Sequence, residues 1–314
     1  MPVIVNVNGS LVSAEEAKVS VFDRGFLYGD SVYEVVRTYG LAAFELEAHL
    51  RRLAASAARI ELELPWGGAR LSDEVVRTIL ASRGGDGPAG EAAAWNVGER
   101  QARIVATRGA GEMGLDPELA VDPALVVMAL PVRGPSRQAY RDGVAAWPVG
   151  VAGGLRRGGD PAAKTGEHLF HVLAIREAKA HAAHEALLLD GAGNVTEGAS
   201  SNVFAVRGEE LVTPPLAAGI LAGVTRSVVL ELCRELGLVV KQEPLPLAAL
   251  GEASEVFLTS TVREILPVTR VGDRVVGRGR PGKLTERLHA SFRRRADLAG
   301  RGQVPDSNAK ERVS

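Results

Sequence analysis

Cysteine and long apolar runs are scarce in this chain of 314 residues. Cys233 is the only cysteine, so an intrachain disulfide is excluded and the thiol is expected to pack in a core. No apolar run approaches the ~18 residues that a membrane span needs, and the first residues show no basic region followed by an apolar one. We therefore expect a soluble, cytoplasmic protein.

An excess of charge of either sign is also missing. Lys and Arg together number 37 and Asp and Glu number 38, which gives a formal net charge of -1. Without a basic field, neither nucleic acid nor an anionic membrane is an expected partner. Lysine itself is rare, so lysine chemistry has few candidates: Lys18, Lys164, Lys179, Lys241, Lys283 and Lys310.

The patterning predicts an α+β fold. Residues 31–39 alternate and contain β-branched side chains, which is typical of a strand. Leucine and alanine recur at helical spacing over residues 46–60 and again over 71–82. Such helices are expected to cover a sheet.

The chain length and its Gly-rich segments predict two unequal domains. Residues 150–163 read as a connector between a small N-terminal α/β domain over 1–149 and a larger C-terminal domain over 164–295. The last helix is expected to end near Arg295. Residues 296–314 are polar and unpatterned, which predicts a disordered tail.

Lys164 is the best candidate for a nucleophilic amine. Such an amine must be unprotonated part of the time and must face a pocket. Lys164 ends the Gly-rich connector just before a predicted helix, whereas Lys310 lies in the tail and Lys179 in a polar helix end. By itself, the position also fits an ordinary surface lysine.

A second pattern indicates an anion site. Gly223, Val224 and Thr225 begin a predicted helix, whose free N–H groups and positive dipole end attract an anion. Ser260 and Thr261, at the end of an apolar strand, can add donors to the same anion. Each signal alone is typical of ordinary caps.

The order of these motifs resembles the class IV aminotransferases, the fold-type IV enzymes that use pyridoxal phosphate (PLP). The similar segments, in chain order, are DRGFLYGDSVYEVVRTYG (23–40), RIVATRGAGEMGLDP (103–117), Lys164, TEGASSNVF (196–204), GILAGVTR (219–226) and TSTVREILPV (259–268). The resemblance extends from about residue 3 to about residue 294. It implies a small α/β domain and a larger pseudo-barrel domain.

The resemblance also implies a set of cofactor residues. Lys164 is the covalent attachment point of PLP, and Glu197 places a carboxylate against the pyridine nitrogen, which keeps the ring an effective electron sink. Leu221 packs against the ring. The implied phosphate ligands are Arg52, Val224, Thr225, Ser260 and Thr261. Without the resemblance, Arg52 would read as a solvated helix charge.

Three residues of one strand are candidate substrate contacts. Side chains two apart share a face, so Tyr33, Val35 and Arg37 point together, and the resemblance places that face over the substrate. Without the resemblance, this is one face of a sheet packed under a helix. Arg103 matches the arginine of a Tyr-x-Arg feature in branched-chain aminotransferases and is expected to bind a carboxylate, although Gln101 replaces the tyrosine.

We expect a transaminase that uses an aliphatic, branched-chain L-amino acid and a 2-oxo acid such as 2-oxoglutarate. The Arg-x-His trap of D-amino-acid transaminases is absent, because Met113 and Leu115 stand near the matching places. Val35, however, stands where branched-chain enzymes commonly have glycine, which favours a D-amino-acid or (R)-amine transaminase. An aminodeoxychorismate lyase and a non-catalytic PLP-binding relative remain as alternatives. The resemblance further implies a homodimer in which the loop over residues 110–115 reaches the partner's site.

Two residues depart from the family pattern near the lysine. Glu167 and His168 stand where many relatives have asparagine and tyrosine. Because histidine titrates near neutrality, His168 is expected to influence the working pH. The pairs His168/His171 and His181/His184 have helical ligand spacing, but no third ligand clusters with them, so no metal is predicted.

Overall fold

Two β-sheets, each covered by helices, form the structure, a computed structural model that describes residues 3–83, 96, 98–150 and 162–302. Within these residues one sheet has six strands and the other ten. The predicted α+β class is confirmed. None of the described helices combines the length and the apolar character needed to cross a membrane.

The first sheet is antiparallel, with strand order β2-β1-β6-β5-β3-β4. Its strands are β1 (Ile4–Val7), β2 (Ser10–Ser13), β3 (Ser31–Tyr39), β4 (Ala42–Ala43), β5 (Arg100–Gly111) and β6 (Ala120–Pro131). Its helices are α1 (Arg24–Tyr28), α2 (Leu46–Arg59) and α3 (Gly68–Ala81). Val32 and Val36 of β3 bury one face against Leu53 of α2 and Val75 of α3. Alternation therefore turns the odd-numbered side chains of β3 away from this core.

The second sheet is mixed, with strand order β12-β11-β10-β14-β15-β7-β8-β9-β13 and β16 beside β15. Its strands are β7 (Val144–Val149), β8 (Glu185–Leu189), β9 (Asn194–Gly198), β10 (Asn202–Arg207), β11 (Glu210–Thr213), β12 (Val240–Gln242), β13 (Leu245–Pro246), β14 (Glu255–Ser260), β15 (Glu264–Val271) and β16 (Arg274–Val275). A bridge between Gly198 and Ser201 brings β9 back beside β10, so the sheet curls into a partial barrel.

Five helices accompany the second sheet in the described part of the chain. They are α4 (Arg137–Asp142), α5 (Leu169–Ala180), α6 (Val224–Glu235), α7 (Leu247–Glu252) and α8 (Lys283–Gly300). Leu232 of α6 and Phe292 of α8 pack on Phe204 and Phe257 of the sheet. Cys233 lies in this core as a buried free thiol, and burial raises its pKa to about 11.

The structure differs from the sequence-based boundaries at two places. Because β7 pairs with β15 and β8, the change from the first to the second sheet occurs before Val144, ahead of the boundary expected at residues 149–150. Helix α8 continues beyond Arg295 to Gly300, since Ala296 is buried and Gly300 packs against the Tyr39 carbonyl. Most of the expected connector and tail, residues 151–161 and 303–314, lies outside the described residues.

Candidate active site

A cavity of about 530 Å³ lies where the two sheets meet. Residues from both sheets and from the segment before α5 line it. The predicted site residues that line this cavity are Tyr33, Val35, Arg52, Arg103, Lys164, Glu197, Leu221, Val224, Thr225, Ser260 and Thr261. Arg37 is the one predicted site residue that does not line the cavity.

Lys164 is held on β3 by its backbone, and its side chain enters the cavity. Its carbonyl accepts a hydrogen bond from Tyr33 N at 3.0 Å, and its own N–H donates to Ser56 Oγ at 3.0 Å. The Nζ amine donates to Tyr33 Oη at 2.9 Å. Lys164 is half-buried, and the hydrogen bond to the Tyr33 hydroxyl fixes the direction of its amine.

Glu197 is a buried carboxylate on β9 that also lines the cavity. Its Oε2 accepts a hydrogen bond from Leu221 N at 3.0 Å and lies 3.5 Å from Asn202 Nδ2. Asn202 donates in turn to the Leu221 carbonyl at 3.0 Å. These contacts tie the acidic group to the loop that precedes α6.

The N-terminus of α6 faces the cavity without a side-chain cap. Its cap residue is Gly223, and a Cβ there would clash with Asn202 Oδ1, so the close approach requires glycine. Val224 and Thr225 are buried. Free N–H groups at the start of a twelve-residue helix can bind an anion.

A buried cluster behind the cavity fixes Arg52. Its Nε and Nη2 donate to the Glu34 carboxylate at 2.6 and 2.8 Å, and its Nη1 donates to the Ala222 carbonyl at 3.0 Å. His49 Nδ1 lies 2.8 Å from the same carboxylate. Burial alone would raise the pKa of Glu34, but the hydrogen bonds from Arg52 and His49 outweigh it and lower the pKa to about 2. Arg52 is therefore a fixed cation whose remaining N–H groups are available.

Arg103 lies over the ring of Tyr33, with its Cζ 4.2 Å from the ring centroid. Its Nη2 is 3.5 Å from His168 Nε2, and His168 meets Tyr33 edge to face. Burial and the positive charges of Arg103 and Lys164 lower the pKa of His168 to about 4. His168 is thus neutral near pH 7, and the expectation that it influences the working pH is not supported.

Arg37 shares the β3 face of Tyr33 and Val35, as the alternation predicts, but it meets a buried carboxylate. Its Nη1 lies 2.9 Å from Glu264 Oε1 and donates to the Val262 carbonyl at 2.9 Å. It also bonds Asn96, and it is 1% exposed. A substrate therefore does not reach this guanidinium in the structure.

Sequence reasoning missed several cavity residues. Asn202 stands within the TEGASSNVF motif, and Arg263 within TSTVREILPV, so both motifs contained a signal. Thr259 Oγ1 is buried, lines the cavity and has no hydrogen-bond partner among the described residues. No local pattern marks that hydroxyl. Over the described ranges, no group of three His, Cys, Asp or Glu residues could hold a metal ion.

Residues 31–271 match the model of the family described as amino-transferase class IV. A Methanocaldococcus jannaschii protein provisionally named a branched-chain-amino-acid aminotransferase is 36% identical over 289 residues, 92% of this chain and 95% of that protein. The D-alanine aminotransferase of Bacillus licheniformis is 32% identical over 91% of this chain and 94% of its own length.

Solved structures with the same fold include two branched-chain aminotransferases. The enzyme from Thermoproteus uzoniensis, solved with norvaline, has a TM-score of 0.82 at 30% identity, with 96% of each chain covered. The T.th. enzyme, solved with pyridoxamine 5'-phosphate, has a TM-score of 0.83 at 28% identity and covers 98% of this chain and 97% of its own.

Proposed function

Because this chain belongs to the class IV aminotransferases, we propose that it is a PLP-dependent transaminase for an aliphatic, branched-chain L-amino acid. We propose a 2-oxo acid such as 2-oxoglutarate as the acceptor. The observation that carries the proposal is one cavity that holds the Lys164 amine, the Glu197 carboxylate and the Arg103 guanidinium. An amine, an acid and a carboxylate-binding cation are the groups that amino transfer between such substrates requires.

The residues of the cavity fit PLP. We assign the phosphate to the uncapped N-terminus of α6 with Val224 and Thr225, which have no side-chain cap to compete with an anion. Thr259 Oγ1, buried and without a partner among the described residues, supports a polar ligand at this end. Arg52, Ser260 and Thr261 complete the proposed phosphate site.

The other end of the cavity fits the cofactor ring. We assign the pyridine nitrogen to the buried Glu197, the ring face to Leu221 and the covalent bond to Lys164. When bound, PLP supplies an electron sink for the negative charge left when a proton leaves the substrate carbon.

Lys164 Nζ is the group we assign to moving that proton. It is a primary amine within the cavity, and its hydrogen bond to Tyr33 Oη keeps it directed there. His168 is neutral near pH 7, because burial and nearby charges lower its pKa to about 4, so it adds no positive charge beside the amine.

Arg103 is the proposed carboxylate site of the substrate. Within the described residues it forms no ion pair with a carboxylate, while Tyr33 and His168 fix its position. An arginine held in this way binds a carboxylate through charged hydrogen bonds. Val35 and Leu221 supply apolar surface, which suits an aliphatic side chain.

A D-amino-acid or (R)-amine transaminase is the second candidate. Val35 lines the cavity at the place where branched-chain enzymes commonly have glycine. The D-alanine aminotransferase relative is also similar over most of this chain. The two candidates differ in which enantiomer of the donor the cavity accepts.

The test follows 2-oxoglutarate-dependent deamination of L-leucine and D-alanine side by side. Turnover of L-leucine is expected, with a loss of about 10- to 100-fold in kcat/KM when Arg103→Ala removes charged hydrogen bonds. The matched control is Arg137→Ala, an exposed arginine of α4. Turnover of D-alanine without L-leucine would refute the L-amino-acid assignment. Product formation without consumption of a 2-oxo acid would indicate a lyase, and PLP binding without any turnover would indicate a non-catalytic relative.

We further propose a cytoplasmic homodimer. Apolar side chains are exposed around the loop over residues 110–115, including Phe26 (70%), Met113 (70%) and Leu115 (82%). Arg24 fixes this loop by donating to the carbonyls of Gly114 and Leu115. Such an apolar surface favours association. Light scattering should give twice the chain mass for the wild-type chain and a lower mass for Leu115→Glu, and cell fractionation tests the location.

A further inference from the structure

The turn between β14 and β15 lines the cavity and is followed directly by a buried glutamate. Ser260, Thr261, Val262 and Arg263 line the cavity, and the next residue, Glu264, is 0% exposed. Glu264 also has a φ of 56°, which is uncommon for a residue other than glycine. Strain of this kind persists only where the surroundings hold the residue in place.

Four side chains hold the Glu264 carboxylate. From β3, Arg37 Nη1 and Tyr39 Oη lie at 2.9 and 2.8 Å from Oε1. From α8, Arg293 Nη1 lies 2.9 Å from Oε1 and His289 Nε2 lies 2.7 Å from Oε2. We call these five residues the Glu264 cluster. The cluster connects β3 of the first sheet, the turn between β14 and β15, and helix α8 through the two buried carboxylate oxygens of Glu264.

Arg37 of this cluster and Tyr140, which stacks on His289, also hold the backbone of the turn. Arg37 donates to the Val262 carbonyl at 2.9 Å. Tyr140 Oη donates to the Arg263 carbonyl at 2.8 Å, and the Tyr140 ring stacks on His289. Both carbonyls are therefore bonded to side chains that do not line the cavity, which fixes the backbone next to Ser260 and Thr261.

The electrostatics fit a permanently charged cluster. Burial alone would raise the pKa of Glu264, but the hydrogen bond from His289 and the charges of Arg37 and Arg293 outweigh it and lower the pKa. A buried carboxylate without such partners is strongly unfavourable. Arg293 and His289 of α8 therefore both help to keep Glu264, and with it the turn, in place.

We propose that Arg293 and His289 of α8 are positioning residues of the active site: by holding Glu264 they fix the turn over residues 260–263, so that Ser260 and Thr261 meet the cofactor phosphate. This inference rests on the proposed PLP function. Neither α8 side chain lines the cavity, so each acts through Glu264 and the turn. A helix near the C-terminus thereby sets how tightly the cofactor is held.

The test measures how fast the holoenzyme loses PLP during dialysis, by absorbance, alongside the KM for 2-oxoglutarate and the melting temperature. We expect Arg293→Met and His289→Leu each to lose PLP about fivefold to tenfold faster, as the charged contacts that hold the turn are removed. His289→Gln keeps a hydrogen-bond donor and should restore most of the retention. The matched control is Arg287→Met, an exposed arginine of the same helix.

The outcomes separate positioning from a purely structural role. A lower melting temperature with PLP loss and KM equal to those of Arg287→Met would overturn the inference, because only overall stability would then depend on α8. If Arg293→Met does not fold, His289→Leu and Tyr39→Phe supply the same comparison with smaller changes. A wild-type chain that loses PLP as fast as Lys164→Ala would overturn the proposed function and this inference together, whereas equal retention among the variants overturns this inference alone.

Discussion

Two buried glutamates lie near the cavity. Their hydrogen-bond partners are of the same types, but only one of the two carboxylates binds an arginine that lines the cavity. Glu34 and Glu264 are both fully buried, and each binds arginine and histidine side chains. Arg52, the arginine on Glu34, itself lines the cavity. The basic side chains that bind Glu264 do not line the cavity, and they are Arg37, His289 and Arg293.

The difference shows two ways in which a buried ion cluster can serve a site. Around Glu34 the carboxylate fixes a cation that can touch a ligand directly, so the charge and its position both matter there. Around Glu264 the cations fix a carboxylate, and the carboxylate fixes a turn of the backbone. Both clusters are anchored on β3, through Glu34 on one face and Arg37 on the other.

Lys164 lines the cavity, and its replacement should have the largest effect. Lys164→Ala should lower transamination by about 10²- to 10⁴-fold or more, because the group assigned to proton transfer is lost. It should also abolish the borohydride-reducible adduct with PLP, while the melting temperature changes little because both ion clusters remain. Lys179→Ala, an exposed lysine at the end of α5, is the control. An adduct that survives in Lys164→Ala would contradict the assignment.

Arg52→Ala disrupts the ion cluster around Glu34, whose arginine lines the cavity. It removes both hydrogen bonds that Arg52 donates to Glu34 and leaves that buried carboxylate with His49 and the Val35 N–H, which should cost about 3 to 5 kcal/mol of unfolding free energy. Weaker PLP binding, by roughly 1.5 to 3 kcal/mol, should accompany the change if one charged hydrogen bond to the phosphate is lost. The control is Arg51→Ala, because the neighbouring Arg51 side chain is 72% exposed. Unchanged PLP titration would assign Arg52 to the fold alone.

Acid should weaken the fold through Glu34. Its pKa is about 2 in the folded state against 4.5 for the free side chain, so its ionised form stabilises the fold above pH 4.5. This stabilisation is lost as the pH falls from 4.5 toward 2, and it amounts to about 3 kcal/mol at most, since each pKa unit corresponds to about 1.4 kcal/mol. Urea unfolding at pH 5 and pH 3 should show a smaller pH difference for Glu34→Gln than for wild type. Glu47→Gln, at a 91% exposed side chain, should behave as wild type, and parallel curves for all three chains would disprove the prediction.

His168→Gln should have the smallest effect and sharpen the contrast with the two glutamate clusters. Unlike His49 and His289, His168 contacts no carboxylate within the described residues, and burial with nearby cations lowers its pKa to about 4. The pH profile of kcat/KM between pH 6 and 8 should therefore be unchanged, and KM should rise by no more than about fivefold as Arg103 loses a weak contact. Loss of a titration near pH 6.5 in the variant would contradict the neutral histidine.

Much of the fold was accessible from short-range patterns. The alternation over β3 predicted the strand and its two faces, and the helical spacing after it predicted α2. The motif order predicted the class IV aminotransferase family and a PLP-dependent aminotransferase activity, and the family match confirms both. These signals are local because strand alternation, helix spacing and helix starts depend on neighbours a few residues apart.

Which side chains form the cavity wall, and with which partners, was harder to predict from the sequence. Alternation correctly placed Arg37 on the face of Tyr33 and Val35, but the carboxylate that binds it belongs to Glu264, more than two hundred positions away in the chain. The unpartnered hydroxyl of Thr259 and the burial of His168 likewise depend on which segments pack over them.

The sequence alone determined the strand faces, the helix start at Gly223 and the identity of the family, because each depends on local order along the chain. Only the tertiary structure decided that Arg37 holds Glu264 instead of facing the cavity, and that His168 stays neutral. The reason is physical: ion pairing and desolvation depend on distance and burial, and both are set when remote segments pack against each other.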